Sequence, residues 1–220
     1  MVTGNFGLNS NIRADSMHPA RLFTADFNRN GKTECIPVFY KTDGKAYPYW
    51  MKGEMEKEIP QLKKKFLRFS DYAGKSFDEI YSADELKSAT KLSVEETRSC
   101  VFMNDGKGHF VKEPLPLHAQ LSPVFATLVA DLNGDGIKDI FLGGNFYGLK
   151  PQTGRFDASY GVTLLGTRGQ GYNYIPPTQS GIFLRGEVRD AALFHLKGGG
   201  FLLGVARNNE SLQFFSKPGR

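Results

Sequence analysis

Cysteine and tryptophan are nearly absent: two cysteines and one tryptophan in 220 residues. Cys35 and Cys100 lack C-x-x-C spacing, which excludes a thiol redox motif and a cysteine zinc site. They leave one disulfide or two buried thiols equally open. No run approaches the ~20 apolar residues that span a bilayer. The first residues, MVTGNFGLNSNIRADS, lack the basic start and apolar stretch of a signal peptide. The chain therefore reads either as intracellular or as a piece of something longer. Histidine is sparse and scattered, at His18, His109, His118 and His195. No G-x-S-x-G elbow, H-E-x-x-H pair or phosphate loop accompanies it. Charge of one sign is also lacking: 28 Lys and Arg against 23 Asp and Glu leave a net +5. The densest basic run, Lys63-Lys64-Lys65 and then Arg68, is interleaved with Leu62, Phe66, Leu67 and Phe69. At helical spacing that is a solvated face opposite an apolar one, so nucleic acid is disfavoured as a partner.

What is abundant is glycine and aromatics: 25 Gly and 11 Pro beside 18 Phe and 9 Tyr. Turn-formers with large rings predict many short strands and few long helices. The exception is a helical stretch from about Ile59 to Glu96, part of an expected insertion over 55–98. There Pro60 suits a first helical position, and the pairs Ser76/Glu79 and Ser82/Glu85 are S-x-x-E capping boxes. Elsewhere strand pairs recur. Gly106 and Gly108 of one hairpin are echoed by Gly169 and Gly171. Asp131 with Ile140-Phe-Leu-Gly is echoed by Asp190 with Phe201-Leu-Leu-Gly204, and upstream by Asp26 with Ile36-Pro-Val-Phe39. Strand pairs repeating about every 60 residues suggest β-propeller blades. The expected fold is all-β with a helical insertion, a partial propeller of about three to four blades forming one domain over 1–220. Its blade-like repeats fall near 20–45, 99–148 and 160–215. Propellers typically need about four blades or more to close, so remaining blades are expected in a larger parent chain. Open sheet edges also leave room for association of two copies.

One loop carries chemistry. Asp131-Leu-Asn133-Gly-Asp135-Gly-Ile137-Lys-Asp139 places carboxylate or amide oxygens at positions 1, 3, 5 and 9, with the Ile137 carbonyl as a further oxygen. A hard cation wanting six to eight oxygens at about 2.3–2.6 Å is Ca²⁺. An EF-hand would need a bidentate glutamate at position 12, where Leu142 stands, and helices on both sides. The competing reading is an Asp/Asn-rich turn satisfied by its own backbone. Asp26, Asn28, Asn30, Lys32 and Glu34 repeat the spacing with less charge and make a weaker candidate. Around Asp190, Ala191, Ala192 and Phe194 stand where ligands would be, so that copy has lost the site.

The segment ADLNGDGIKDIFLGGNFYG resembles an FG-GAP/VCBS repeat, the blade unit of integrin-α-type propellers and of many secreted bacterial proteins. GNFGLNSN, NDGKGHF, NFYGLKPQTGRFDASYG and GEVRDAALFHLKGGGFLLGVARNN are similar to the C-terminal part of large bacterial surface proteins with VCBS and ASPIC/UnbV-type repeats. The resemblance covers about residues 4 to 215. It implies a calcium-bearing propeller, exported and held at or near the outer surface of a bacterium. It carries the calcium positions onto Asp131, Asn133, Asp135, Ile137 and Asp139. Asn30 and Glu34 depart from the family's aspartates. Tyr147, Arg155, Phe156, Asp157 and Tyr160 follow a strand in an aromatic, polar, Gly-rich segment suited to stacking a sugar. The alternative is that these rings pack between blades. The reading is a non-enzymatic calcium-binding module that binds protein or glycan, or serves as a scaffold. Its alternatives are a fragment of a carbohydrate-active lyase or dehydratase, and a nucleic-acid-binding protein.

Overall fold

The structure, a computed structural model, describes residues 1–151, 154–169 and 171–218. It is mostly β, with four antiparallel sheets and short helices. The chain forms two compact units: Met1–Asn9 with Arg98–Arg220, and Ser10–Thr97. The segment expected as an insertion, 55–98, falls in the second unit except for Arg98, together with the hairpin at 20–45.

In the first unit, β1 (Val2–Thr3), β6 (Cys100–Asn104) and β7 (Phe110–Pro114) make one sheet. A second is a four-stranded meander of β8 (Val124–Ala130), β9 (Asp139–Gly144), β10 (Val162–Gly166) and β11 (Tyr172–Ile175). The third holds β12 (Val188–His195), β13 (Gly200–Arg207) and β14 (Gln213–Pro218). The stretch 99–148 thus contributes to two sheets, not one.

Strand β9 shows how these sheets stack. Its sequence DIFLGG lacks apolar/polar alternation because every residue is buried. Ile140 and Leu142 share a face with Val162 and Leu164 and pack against Val101, Leu115 and Ala119. Phe141 points the other way, into a cluster with Ala126, Leu203 and Val205. The middle sheet is therefore covered on both faces by its two neighbours. Close approach sets its glycines: a Cβ on Gly144 would lie 1.9 Å from the Pro123 carbonyl oxygen.

The second unit is built on β2 (Ala20–Ala25), β3 (Glu34–Tyr40), β4 (Ala46–Pro48) and β5 (Thr90–Val94), in the order β4-β3-β2-β5. Between β4 and β5 run five short helices, α1 (Lys52–Glu58), α2 (Leu62–Lys65), α3 (Phe69–Tyr72), α4 (Phe77–Ile80) and α5 (Ala83–Leu86). Both sequence-marked capping boxes form. Glu79 accepts the Ser76 backbone N–H at 2.8 Å, and Glu85 accepts that of Ser82 at 2.7 Å. The amphipathic reading of the basic run holds only in part. Leu62 and Phe66 are buried, but the helix ends at Phe66 and leaves Leu67 and Phe69 exposed. Among the described residues no helix is long and apolar enough to cross a membrane. Cys35 and Cys100 form no disulfide; Cys100 is buried, but Cys35 is exposed, so the two are not a pair of buried thiols.

Candidate functional site

Two hairpins carry the Asp/Asn-rich loops, and they match atom for atom at three points. The strands meet at Ala25 opposite Glu34 in β2–β3 and at Ala130 opposite Asp139 in β8–β9. The first loop residue, Asp26 or Asp131, accepts the backbone N–H of Gly31 or Gly136, both at 2.8 Å. The ninth, Glu34 or Asp139, turns back to accept the N–H of the second residue, Phe27 at 2.8 Å or Leu132 at 2.7 Å. Gly31 and Gly136 have φ of 84° and 83°, a left-handed backbone that glycine adopts without strain. The sequence repeat between these copies is thus a repeat of geometry.

In the later loop Asp131 also accepts N–H groups from Gly134 (2.6 Å) and Asp135 (3.2 Å). These amides, Gly136 first and Gly134 next, hold the Asp131 carboxyl below the usual aspartate range. Asn133 accepts the Asp135 N–H at 2.9 Å and donates its amide to the Asp135 carboxylate at 2.8 Å. Asp135 accepts from Ile137 N–H at 2.8 Å. Asp139 is fully buried, and its second oxygen accepts the Gly166 N–H at 2.9 Å, tying the loop to β10.

The donor set suits calcium: three carboxylates, one amide oxygen and one main-chain carbonyl, all hard oxygens. Asp131 Oδ1 accepts two N–H groups, but Asp131 Oδ2 and both oxygens of Asp135 and Asp139 accept one donor each and keep a second lone pair for a cation. The side chains are not, however, drawn together. Among the described residues no three His, Cys, Asp or Glu side chains form a group able to hold a metal. What the structure displays is a turn closed by its own amides, whose oxygens would still have to converge on a cation. The first loop is shut more firmly. The Asn28 amide donates to Glu34 at 2.7 Å and to the Glu58 carbonyl at 2.8 Å, while its own oxygen is buried without a partner. Asn30 Oδ1 accepts the Lys32 N–H at 2.8 Å. A cation there would need an oxygen where the Asn28 nitrogen now stands.

The third copy, read as a loop that has lost its ligands, is not a loop at all. Asp190 lies inside β12, opposite Ala206, and the β12–β13 turn is the Gly-rich stretch after Leu196. No loop surrounds Asp190, because the pairing of His195 with Phe201 puts the turn five residues later.

The aromatic candidates divide into two places. Tyr147 carries the Arg155 guanidinium 5.1 Å above its ring. Phe156 bridges Phe146 through paired backbone hydrogen bonds of 2.8 and 3.0 Å and sets its ring on edge against Phe6 at 5.0 Å. Asp157 is exposed nearby in sequence. Tyr160 instead stacks on Phe183, centroids 4.8 Å apart and planes 13° from parallel. Both rings of that pair are close to half exposed, at 45% and 48%. Phe156 is thus packed against Phe6, whereas Tyr160 and Phe183 form an exposed stack.

A buried polar network had no sequence motif to announce it. Asn145, 2% exposed with φ of 79°, uses its whole amide. Its oxygen accepts from the Ser122 hydroxyl (2.8 Å) and the Ser159 N–H (3.0 Å), and its nitrogen donates to the carbonyls of Ser159 (2.8 Å) and Gly186 (3.0 Å). Glu187 beside it accepts from Tyr147 N–H, Arg189 and Asn208 at 2.8, 2.7 and 2.8 Å. Burial pushes the Glu187 carboxyl up, but these donors outweigh it and hold it below the usual range. The signal was the run of polar residues within Gly-Glu-Val-Arg-Asp and Arg-Asn-Asn, which is legible only once the strands are placed.

Compared with known proteins, the chain matches no family model, no curated protein and no solved structure.

Proposed function

We propose that this chain is a calcium-binding propeller module of an exported bacterial surface protein, acting without catalysis in protein or glycan binding or as a scaffold. The observation that carries the calcium part is the cradle of Asp131. Three backbone N–H groups hold its carboxylate inside the loop while Asn133, Asp135 and the Ile137 carbonyl follow at alternate positions. Asp131, Asn133, Asp135, Ile137 and Asp139 would hold the ion. The ion would supply a charge that stitches the loop to β9 and, through Asp139, to β10. The propeller part is supported by the stacking of three sheets face upon face, with β9 buried on both sides. The outward face of β12–β14 carries Phe194 and Phe214, each 52% exposed, and suits one more blade of a parent chain or a second copy. For ligand contact the exposed Tyr160–Phe183 stack is the favoured surface. Export rests on the resemblance to surface repeat proteins.

Calcium titration by calorimetry on the chelator-treated chain tests this reading. One site that Asp135→Ala removes supports it, and no heat with either protein contradicts it.

A further inference from the structure

In the Ser10–Thr97 unit, Arg21 sits on the central strand β2, opposite Val38. Its guanidinium carbon lies 5.4 Å from the centroid of the Tyr40 ring. Stacking of this kind fixes the plane of the guanidinium and so the direction in which its N–H groups point. Its Nε is buried with no hydrogen-bond partner. Among the described residues no ion pair engages it. A buried donor left unmade costs about 1–3 kcal/mol, more when charged, so native structures rarely keep one without a reason.

The same arginine lines a cavity of roughly 330 Å³ together with Phe23, Tyr40, Lys45, Phe77 and Asp78. That volume is at the small end of ligand pockets, about 300–1,000 Å³. Two cations and one carboxylate border it, so the balance favours an anion. A guanidinium matches a carboxylate with two parallel N–H groups. Its floor is apolar: Phe23 and Phe77 are buried, with ring centroids 4.7 Å apart. Asp78, exposed at the rim, is an acceptor for hydroxyl groups.

We infer that this cavity binds a carboxylate-bearing sugar, a hexuronate unit of an acidic glycan. The carboxylate meets Arg21 and Lys45, the C–H face of the ring lies on the aromatic floor, and a hydroxyl donates to Asp78. This deepens the glycan branch of the reading above and is independent of the calcium loop.

The test titrates the full 220-residue chain, in chelator, with a hexuronate trimer and with the neutral hexose trimer of the same linkage. The uronate binds at least about tenfold tighter, and Arg21→Ala removes at least that factor, as expected of a charge-assisted pair. Arg21→Lys keeps the charge but loses the fork and binds more weakly than the parent. Lys45→Ala weakens binding and decides the matter if Arg21→Ala does not fold. Equal binding of both trimers, unchanged affinity in the Lys45→Ala and Arg21→Lys proteins, or no binding at all overturns the inference. Acetate or inorganic phosphate binding as tightly as the trimer overturns the sugar assignment. Because chelator is present throughout, these results stand apart from success or failure of the calcium titration.

Discussion

Asp135 and Asp139 belong to one loop but do different physical work. Asp139 is fully buried and satisfies two backbone N–H groups, from Leu132 and Gly166. Replacing it with alanine orphans both donors, at about 1–3 kcal/mol each. We therefore expect Asp139→Ala to lower stability by about 3 kcal/mol in denaturant titrations with or without calcium. Asp135 is exposed and answers to its own loop, so Asp135→Ala should leave metal-free stability within about 0.5 kcal/mol of the parent. Asn145→Ala strands three backbone groups, the N–H and carbonyl of Ser159 and the carbonyl of Gly186, and should cost about 3 kcal/mol or more. An unchanged midpoint for Asn145→Ala would show that water takes over those bonds. Of these residues the loop pair was legible from spacing, because alternate oxygens around a glycine are a local pattern. Asn145 and Glu187 were not, because their partners Ser122, Gly186 and Asn208 lie 23, 41 and 21 residues away in sequence.

Among the elements, the helices and hairpins were the most readable, since capping boxes and turn glycines are short-range signals. The Ser76/Glu79 box also makes a pH prediction. The Ser76 N–H, then Lys75 and the Ser76 hydroxyl, pull the Glu79 carboxyl down to about 2. A depressed folded value means that this support is complete above about pH 4.5, the unfolded value, and is lost as pH falls toward 2. Amide exchange should show α4 fraying over that window, with Glu79→Ala, which has no acceptor for the Ser76 N–H, already frayed at neutral pH. Equal protection at pH 5 and pH 2 would contradict the role of the box. The expected helical stretch to Glu96 ends instead at Leu86, and Thr90–Val94 within it is strand β5, misread because it is exposed at every position and carries no burial pattern. Its place is set by pairing with β2, from Ala20 opposite Val94 to Thr24 opposite Thr90. Gly144→Ala tests the tight packing at the end of β9. The added methyl would strike the Pro123 carbonyl, a backbone atom that cannot swing aside, so a loss of about 3 kcal/mol in stability is expected.

Over the whole molecule, the repeat of strand pairs holds only for the two Asp-led hairpins, whereas the mostly-β character was legible from glycine and aromatic content. The division into two units was not, because Met1–Asn9 joins residues beyond Arg98 through contacts such as the Leu8 N–H to the Gln120 carbonyl, 2.7 Å. A single sequence holds no trace of such a pairing. Whether the Asp131 loop closes around a cation decides the calcium assignment. Binding to the native state alone raises stability as ligand exceeds the dissociation constant, by about 2.7 kcal/mol at a hundredfold excess. The direct measurement is the melting temperature of the parent and of Asp135→Ala, each in chelator and in millimolar calcium. Calcium is expected to raise the melting temperature of the parent by several degrees and to leave Asp135→Ala where it was. Identical melting of the parent in both solutions would contradict the calcium assignment and leave the loop as a turn held by its own amides.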